Sequence, residues 1–120
     1  MNVLNPELVI VRGINSDWLE QNFSEMWIGF SGSGSAVPKQ DAYYIGLYLE
    51  APESKITHLG IVKEIERKVG SADFHLKALI KLTKPIETDH PIRKHENWKL
   101  KDFKLSKTVM SILRLSLDDL

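Results

Sequence analysis

Three hydrophobic runs follow one another in the middle of the chain, Tyr43 to Glu50 (YYIGLYLE), Ile56 to Lys68 (ITHLGIVKEIERK) and Asp73 to Lys84 (DFHLKALIKLTK). Each alternates with a period near two and is rich in β-branched or aromatic residues, the pattern of strands with one face turned to a core. In the first run Tyr43, Ile45, Leu47 and Leu49 share one face, against Tyr44, Gly46, Tyr48 and Glu50. In the third, Phe74, Leu76, Ala78, Ile80 and Leu82 form an apolar row opposite His75, Lys77 and Lys81. Gly60 interrupts the middle run, where a missing side chain admits a strongly coiled strand or a close neighbour. Turns around Pro52-Glu53-Ser54 and Gly70-Ser71-Ala72 join the runs, so a small barrel is the expected product.

The flanks are shorter. Glu7 to Arg12 and Glu25 to Phe30 read as brief strands, and between them Ser16 caps a short amphipathic helix over 16 to 23 that plugs one barrel mouth. A Gly/Ser-rich loop, residues 31 to 41, has no periodicity and suits a mobile lid or hairpin linker. Beyond Thr83, Pro85 and Pro91 favour extended edge or loop structure. Lys99 to Leu105 returns as a final strand, and Val109, Ile112, Leu113 and Leu117 fit a C-terminal helix from about Ser106 or Thr108. The expectation is therefore a single domain over residues 1–120, of the α+β class. It is a small, curved, mostly antiparallel β-barrel with two or more short helices.

Charge narrows the function. The net charge is zero, yet residues 53 to 107 hold 13 Lys and Arg against 8 Asp and Glu, while residues 1 to 52 hold 2 against 6. A basic half of this kind attracts phosphate backbones. The absence of cysteine excludes disulfides, thiolate metal sites and cysteine nucleophiles. With no secretory pattern and no apolar run of membrane-spanning length, the expected setting is the cytoplasm, with no membrane partner.

Catalytic patterns are sparse. His58, His75, His90 and His95 show no metal-binding helical spacing and no carboxylate cluster beside them, so neither a metal nor another cofactor is expected. No catalytic residue is assigned. Asp41 followed by Glu53-Ser54-Lys55 has the spacing of a magnesium nuclease triplet, which keeps a metal-dependent nuclease, or another hydrolase using His58, as the alternative to binding. A protein-interaction module is a third reading.

Aromatic and basic residues carry the favoured one. Trp27 and Tyr44 stand opposite apolar rows beside the Gly/Ser loop, with Trp18 near the helix, and such rings stack bases. His58 lies with Gly60 and Val62 near the start of the middle strand. Arg12, Lys63 and Lys77 would contact phosphates, and Ser33 lies in the loop that closes over a ligand.

The order of elements, and the segment Ile56-Thr57-His58-Leu59-Gly60-Ile61-Val62-Lys63-Glu64-Ile65, resemble the PUA-like superfamily in its EVE and ASCH branches. In these domains a glycine flanked by hydrophobic residues is followed by a Val-x-x-Ile ending, here Gly60, Val62 and Ile65. The resemblance spans residues 7 to 105 and implies a pseudo-barrel with a cleft at its mouth. Such a cleft binds RNA or a modified, flipped-out DNA base and reads it without cutting.

Overall fold

The middle of the chain folds as read, into three long antiparallel strands, but the sheet that they anchor is open. The computed structural model describes residues 4–32 and 36–103. In chain order the elements are β1 (Asn5–Ile14), α1 (Ser16–Asn22), a 3-10 turn (Phe23–Glu25), β2 (Trp27–Ser31) and β3 (Ala42–Leu49). β4 (Lys55–Lys68), β5 (Ser71–Glu87), β6 (His95–Lys99) and a second 3-10 turn (Leu100–Asp102) follow. They form one six-stranded sheet in the order β2-β5-β4-β3-β1-β6. Among the described residues no helix is long and apolar enough to cross a membrane.

The β4–β5 hairpin is the longest ladder. Its strands have 14 and 17 residues, and Lys68 pairs with Ser71 across a two-residue turn of Val69 and Gly70. Gly70 has φ 75, the left-handed region that glycine enters without strain. The turn thus begins one residue and ends two residues earlier than Gly70-Ser71-Ala72 implied.

Two compensating irregularities lie midway along this hairpin. Ile61 pairs with Ala78 but Val62 with Leu76, which leaves Lys77 as an extra residue on β5. Val62 pairs with Leu76 but Glu64 with His75, which leaves Lys63 extra on β4. Each extra residue reverses the alternation of its strand. The apolar row expected from Phe74 to Leu82 is therefore split: Phe74 and Leu76 enter one core, whereas Ala78, Ile80 and Leu82 enter or pack against another on the opposite face.

Two cores result, one on each side of the sheet. The first joins Leu8, Ile10 and Ile14 of β1, Ile28 and Phe30 of β2, Ile45, Leu47 and Leu49 of β3, and Val62, Phe74 and Leu76 of the hairpin. Trp18 and Leu19 of α1 pack on it. The second joins Val9, Val11, Tyr43, Tyr44, Tyr48, Leu59, Ile61, Ile92 and Phe103. All of β3 is buried, so neither of its faces meets solvent. Missing side chains permit the close layers: a Cβ at Gly60 would stand 2.9 Å from Leu76 Cδ1, and one at Gly46 3.1 Å from Phe103 Cζ.

Several expectations are corrected. The sheet does not close into a barrel: among the described residues β2 and β6 share no ladder, and the Phe30 and His95 rings meet across the gap. β1 pairs with β3 in parallel, so the sheet is mixed. One two-turn α-helix is present among the described residues, in a chain that is mostly strand. Its cap is Asn15, whose side-chain oxygen accepts the Trp18 N–H at 2.6 Å, and not Ser16. β6 starts at His95, where the sequence suggested a strand from Lys99 to Leu105. The expected C-terminal helix falls on residues outside those described.

Tyr44 tests the second core. Its hydroxyl is buried without a hydrogen-bond partner among the described residues, and burial, assisted by Tyr43, pushes its pKa up to about 12. A buried hydroxyl of this kind costs about 1–3 kcal/mol when unpaired. Tyr44→Phe is therefore expected to leave stability unchanged or raise it by about 1 kcal/mol in urea unfolding; a loss of that size would show that the hydroxyl is paired.

Candidate functional site

The gap between the two edge strands holds the candidate site. Alternation along β1 sends Leu8, Ile10, Arg12 and Ile14 toward the first core, and Arg12 is the charged member of that row. Its guanidinium crosses to the far edge of the sheet, donates through Nη1 to the Gly29 carbonyl and lies over the Phe30 ring, 4.8 Å from the centroid. This contact combines a hydrogen bond with cation–π attraction. Burial lowers the Arg12 pKa, but an arginine starts high enough to stay charged.

β6 completes the opposite wall. Its first residue, His95, pairs with Arg12 across the ladder and sets its ring edge-on to Phe30 at 5.7 Å. The preceding segment is drawn onto β1, with the Gly13 N–H donating to the Lys94 carbonyl at 3.3 Å. A Cβ at Gly13 would overlap the Ile92 carbonyl oxygen, so only glycine admits this approach. The result is a cleft of about 230 Å³ lined by Arg12, Gly13, Phe30, Ser31, Ala36, Arg93, Lys94 and His95. Among the described residues its lining offers three permanent cations and an imidazole, and no carboxylate.

Of the residues singled out from sequence, Arg12 lines this cleft, and Trp18, Trp27, Tyr44, His58, Lys63 and Lys77 do not. Ser33 lies outside the described residues. Tyr44 is in the second core, and its exposure on a ligand face is a correction: a second layer covers the face that alternation alone left open. His58 is 6 % exposed, on β4 opposite Leu47 and Lys81, with its Nδ1 2.8 Å from the Thr57 hydroxyl. Burial first, and the Lys81 charge second, lower its pKa. Trp27 is exposed on edge strand β2, its indole N–H donating to Glu25 Oε2 at 3.1 Å. Trp27 and Trp18 border a hollow of about 10 Å³, room for about one water. Lys63 and Lys77 are exposed at the two bulges, and the Lys77 ammonium lies 5.4 Å from the centre of the Tyr43 ring.

The nuclease triplet is dispersed. Asp41 precedes β3 and Glu53 and Lys55 follow it, so an eight-residue strand of roughly 25 Å separates them. Asp41 Oδ1 instead accepts from Arg67 at 2.7 Å, and Lys55 pairs with Glu87 at 3.7 Å. Arg67 also donates to the carbonyls of Pro38 and Gln40, which ties the end of the Gly/Ser-rich loop to β4. A group with metal-ligand chemistry does form elsewhere, from Glu64, Glu66 and His75, which sequence spacing could not reveal because they join across the hairpin.

Arg93, Lys94 and His95 were missed although they are consecutive in the chain. Three adjacent basic residues after Pro91 were the available signal. What hid it was that no periodicity says which strand such a segment lies against. No family model, no curated protein and no solved structure matches the chain.

Two outcomes follow from this geometry. Gly13→Ala is expected to displace the 92–94 segment, lowering the unfolding midpoint in urea and increasing proteolysis between Pro91 and His95; an unchanged midpoint and cleavage pattern would contradict the close approach. The buried His58 sets a pH dependence. The unfolded chain binds a proton near the usual 6.5 while the folded chain binds it only at lower pH. Stability is thus retained above about 6.5 and lost as pH falls through the lowered value. His90, its pKa raised by hydrogen bonds to Asp89 and then Glu96, acts in the opposite sense, with its contribution lost as pH rises through the raised value. It is a solvent-screened surface group. Urea unfolding between pH 5 and 8 should show a shallower acid-side loss in His58→Gln than in the parent; parallel curves would sink this assignment.

Proposed function

We propose that this chain is a non-catalytic nucleic-acid-binding module that holds a phosphate and the adjoining base in the cleft between β2 and β6. The observation that carries the reading is the convergence of Arg12, Arg93, Lys94 and His95 on one open cleft, with no carboxylate among the described residues of its lining. Cations gathered in this way favour a phosphodiester or phosphate over a neutral ligand. A volume of about 230 Å³ is below the range of pockets for drug-sized ligands and suits one phosphate with its adjoining base.

Arg12 supplies the selectivity. One face of its guanidinium is covered by Phe30, and a base can stack on the other, as bases stack on arginine planes in single-stranded RNA recognition. Exposed Arg93 and Lys94 act as mobile phosphate contacts at the rim. The ligand class is RNA or a DNA base that is modified or flipped out. The resemblance of Ile56 to Ile65 to PUA-like domains of the EVE and ASCH type supports the same class, although the closed barrel that it implied does not form.

Anisotropy titration of labelled single-stranded RNA, single-stranded DNA and duplexes carrying modified cytosines tests the reading at 50 and 200 mM salt. Saturable binding that weakens with salt is expected for at least one of them. Replacing both Arg93 and Lys94 with Gln should weaken it at least tenfold and reduce the salt slope by about 1.5 to 2, whereas Trp27→Ala should leave it unchanged. No saturable binding at low salt, or an unaltered slope in the double variant, would remove the proposal.

A further inference from the structure

The tip of the β4–β5 hairpin carries a second site, independent of the cleft. Beyond the Lys63 bulge, Glu64 and Glu66 occupy alternate positions on β4 and turn to the same side of the ladder. His75 stands opposite Glu64 on β5 and joins them. Without the extra residue at 63, the parity of β4 would send both carboxylates toward the first core. The bulge therefore assembles the group.

The three side chains converge closely. His75 Nε2 lies 3.0 Å from Glu66 Oε1, and one ligand atom from each of the three falls within 4.8 Å of the others. The His75 nitrogen is buried, yet its contact with Glu66 is not aligned as a hydrogen bond, nor is any other among the described residues. Glu64 and Glu66 are exposed and free to turn to solvent, but both bring a carboxylate to the same imidazole, against their mutual repulsion. Asp73, opposite Glu66 in the ladder, adds to the negative field.

We infer that Glu64, Glu66 and His75 form a binding site for a divalent transition-metal ion. Ligand atoms roughly 2.1 Å from one ion stand about 3 to 4.2 Å apart, a spacing that a small rotation of exposed Glu64 completes. An imidazole nitrogen with two carboxylates suits zinc or a neighbouring d-block ion, whereas magnesium and calcium prefer oxygen ligands alone. A dication also neutralises the two adjoining carboxylates. Trp27 pairs with His75 on the next strand, which places a fluorescent ring beside the ion.

The test is titration of the full chain with Zn²⁺ by calorimetry, and with Co²⁺ by visible absorption and tryptophan quenching. One ion per chain is expected, undisturbed by excess Mg²⁺, with Co²⁺ quenching lost in Trp27→Phe. His75→Asn, Glu66→Gln and Glu64→Gln should each weaken binding about tenfold or more while circular dichroism stays unchanged. His90→Ala, which removes a separate surface imidazole held by Asp89 and Glu96, should leave it intact. Absence of saturable Zn²⁺ binding, binding that survives His75→Asn, or binding lost in His90→Ala would overturn the inference. Should His75→Asn unfold, the two exposed glutamate variants decide the question alone.

Discussion

The paired bulges at Lys63 and Lys77 are the constraint on which the rest of the structure depends. A hairpin of 14 and 17 residues with uninterrupted alternation would present one apolar face and one polar face along its whole length. One extra residue on each strand reverses the alternation of both strands at nearly the same level, so the ladder continues while its apolar side changes. The tip contributes Val62, Phe74 and Leu76 to the first core, and the base contributes Leu59, Ile61 and Leu82 to the second. Two cores on opposite sides of one sheet are possible because the hairpin serves both. Its central neighbour β3 is consequently buried throughout.

The same change of face decides where chemistry can occur. Once both sides of the central strands are covered, polar groups collect at the hairpin tip and along the gap between β2 and β6. At the tip the outward side is left to Glu64, Glu66, Asp73 and His75. At the gap, Arg12 bridges from β1 to the Gly29 carbonyl, a link between strands that share no ladder. A half-buried arginine is costly unless its charge is met, and the Gly29 carbonyl accepts from Nη1 while Phe30 covers one face of the guanidinium. Arg12 is thus part of the frame as well as a wall of the cleft. Arg93 and Lys94 are exposed at the rim.

Glycine has a specific part in this arrangement. Gly13 lets the chain before β6 lie against β1, which brings Lys94 and His95 beside Arg12. Gly60 and Gly46 let Leu76 and Phe103 close the two cores on either side of the central strands. In each case the requirement is close approach of a neighbour, so a larger residue would push layers apart.

The amino-acid sequence by itself determined the strands: the runs from Tyr43, Ile56 and Asp73, the brief flanking strands and the short helix after Asn15 all follow from periodicity, which acts over a few residues. Arg12 was singled out too, as a cation at the end of the first brief strand. Tertiary structure alone decided which face each row occupies and whether the sheet closes. It also decided which distant residues meet. A single inserted residue inverts the alternation and is invisible in the hydrophobic pattern, which is why Phe74 and Ile80 were read as one row; Tyr44 was read as a ligand face because alternation does not show that a second layer covers it. Closure depends on strand shear and edge pairing, which composition does not encode. The meeting of Glu64 with His75, and of Arg12 with His95, is set by ladder register between strands far apart in the chain, and register is a property of the assembled sheet.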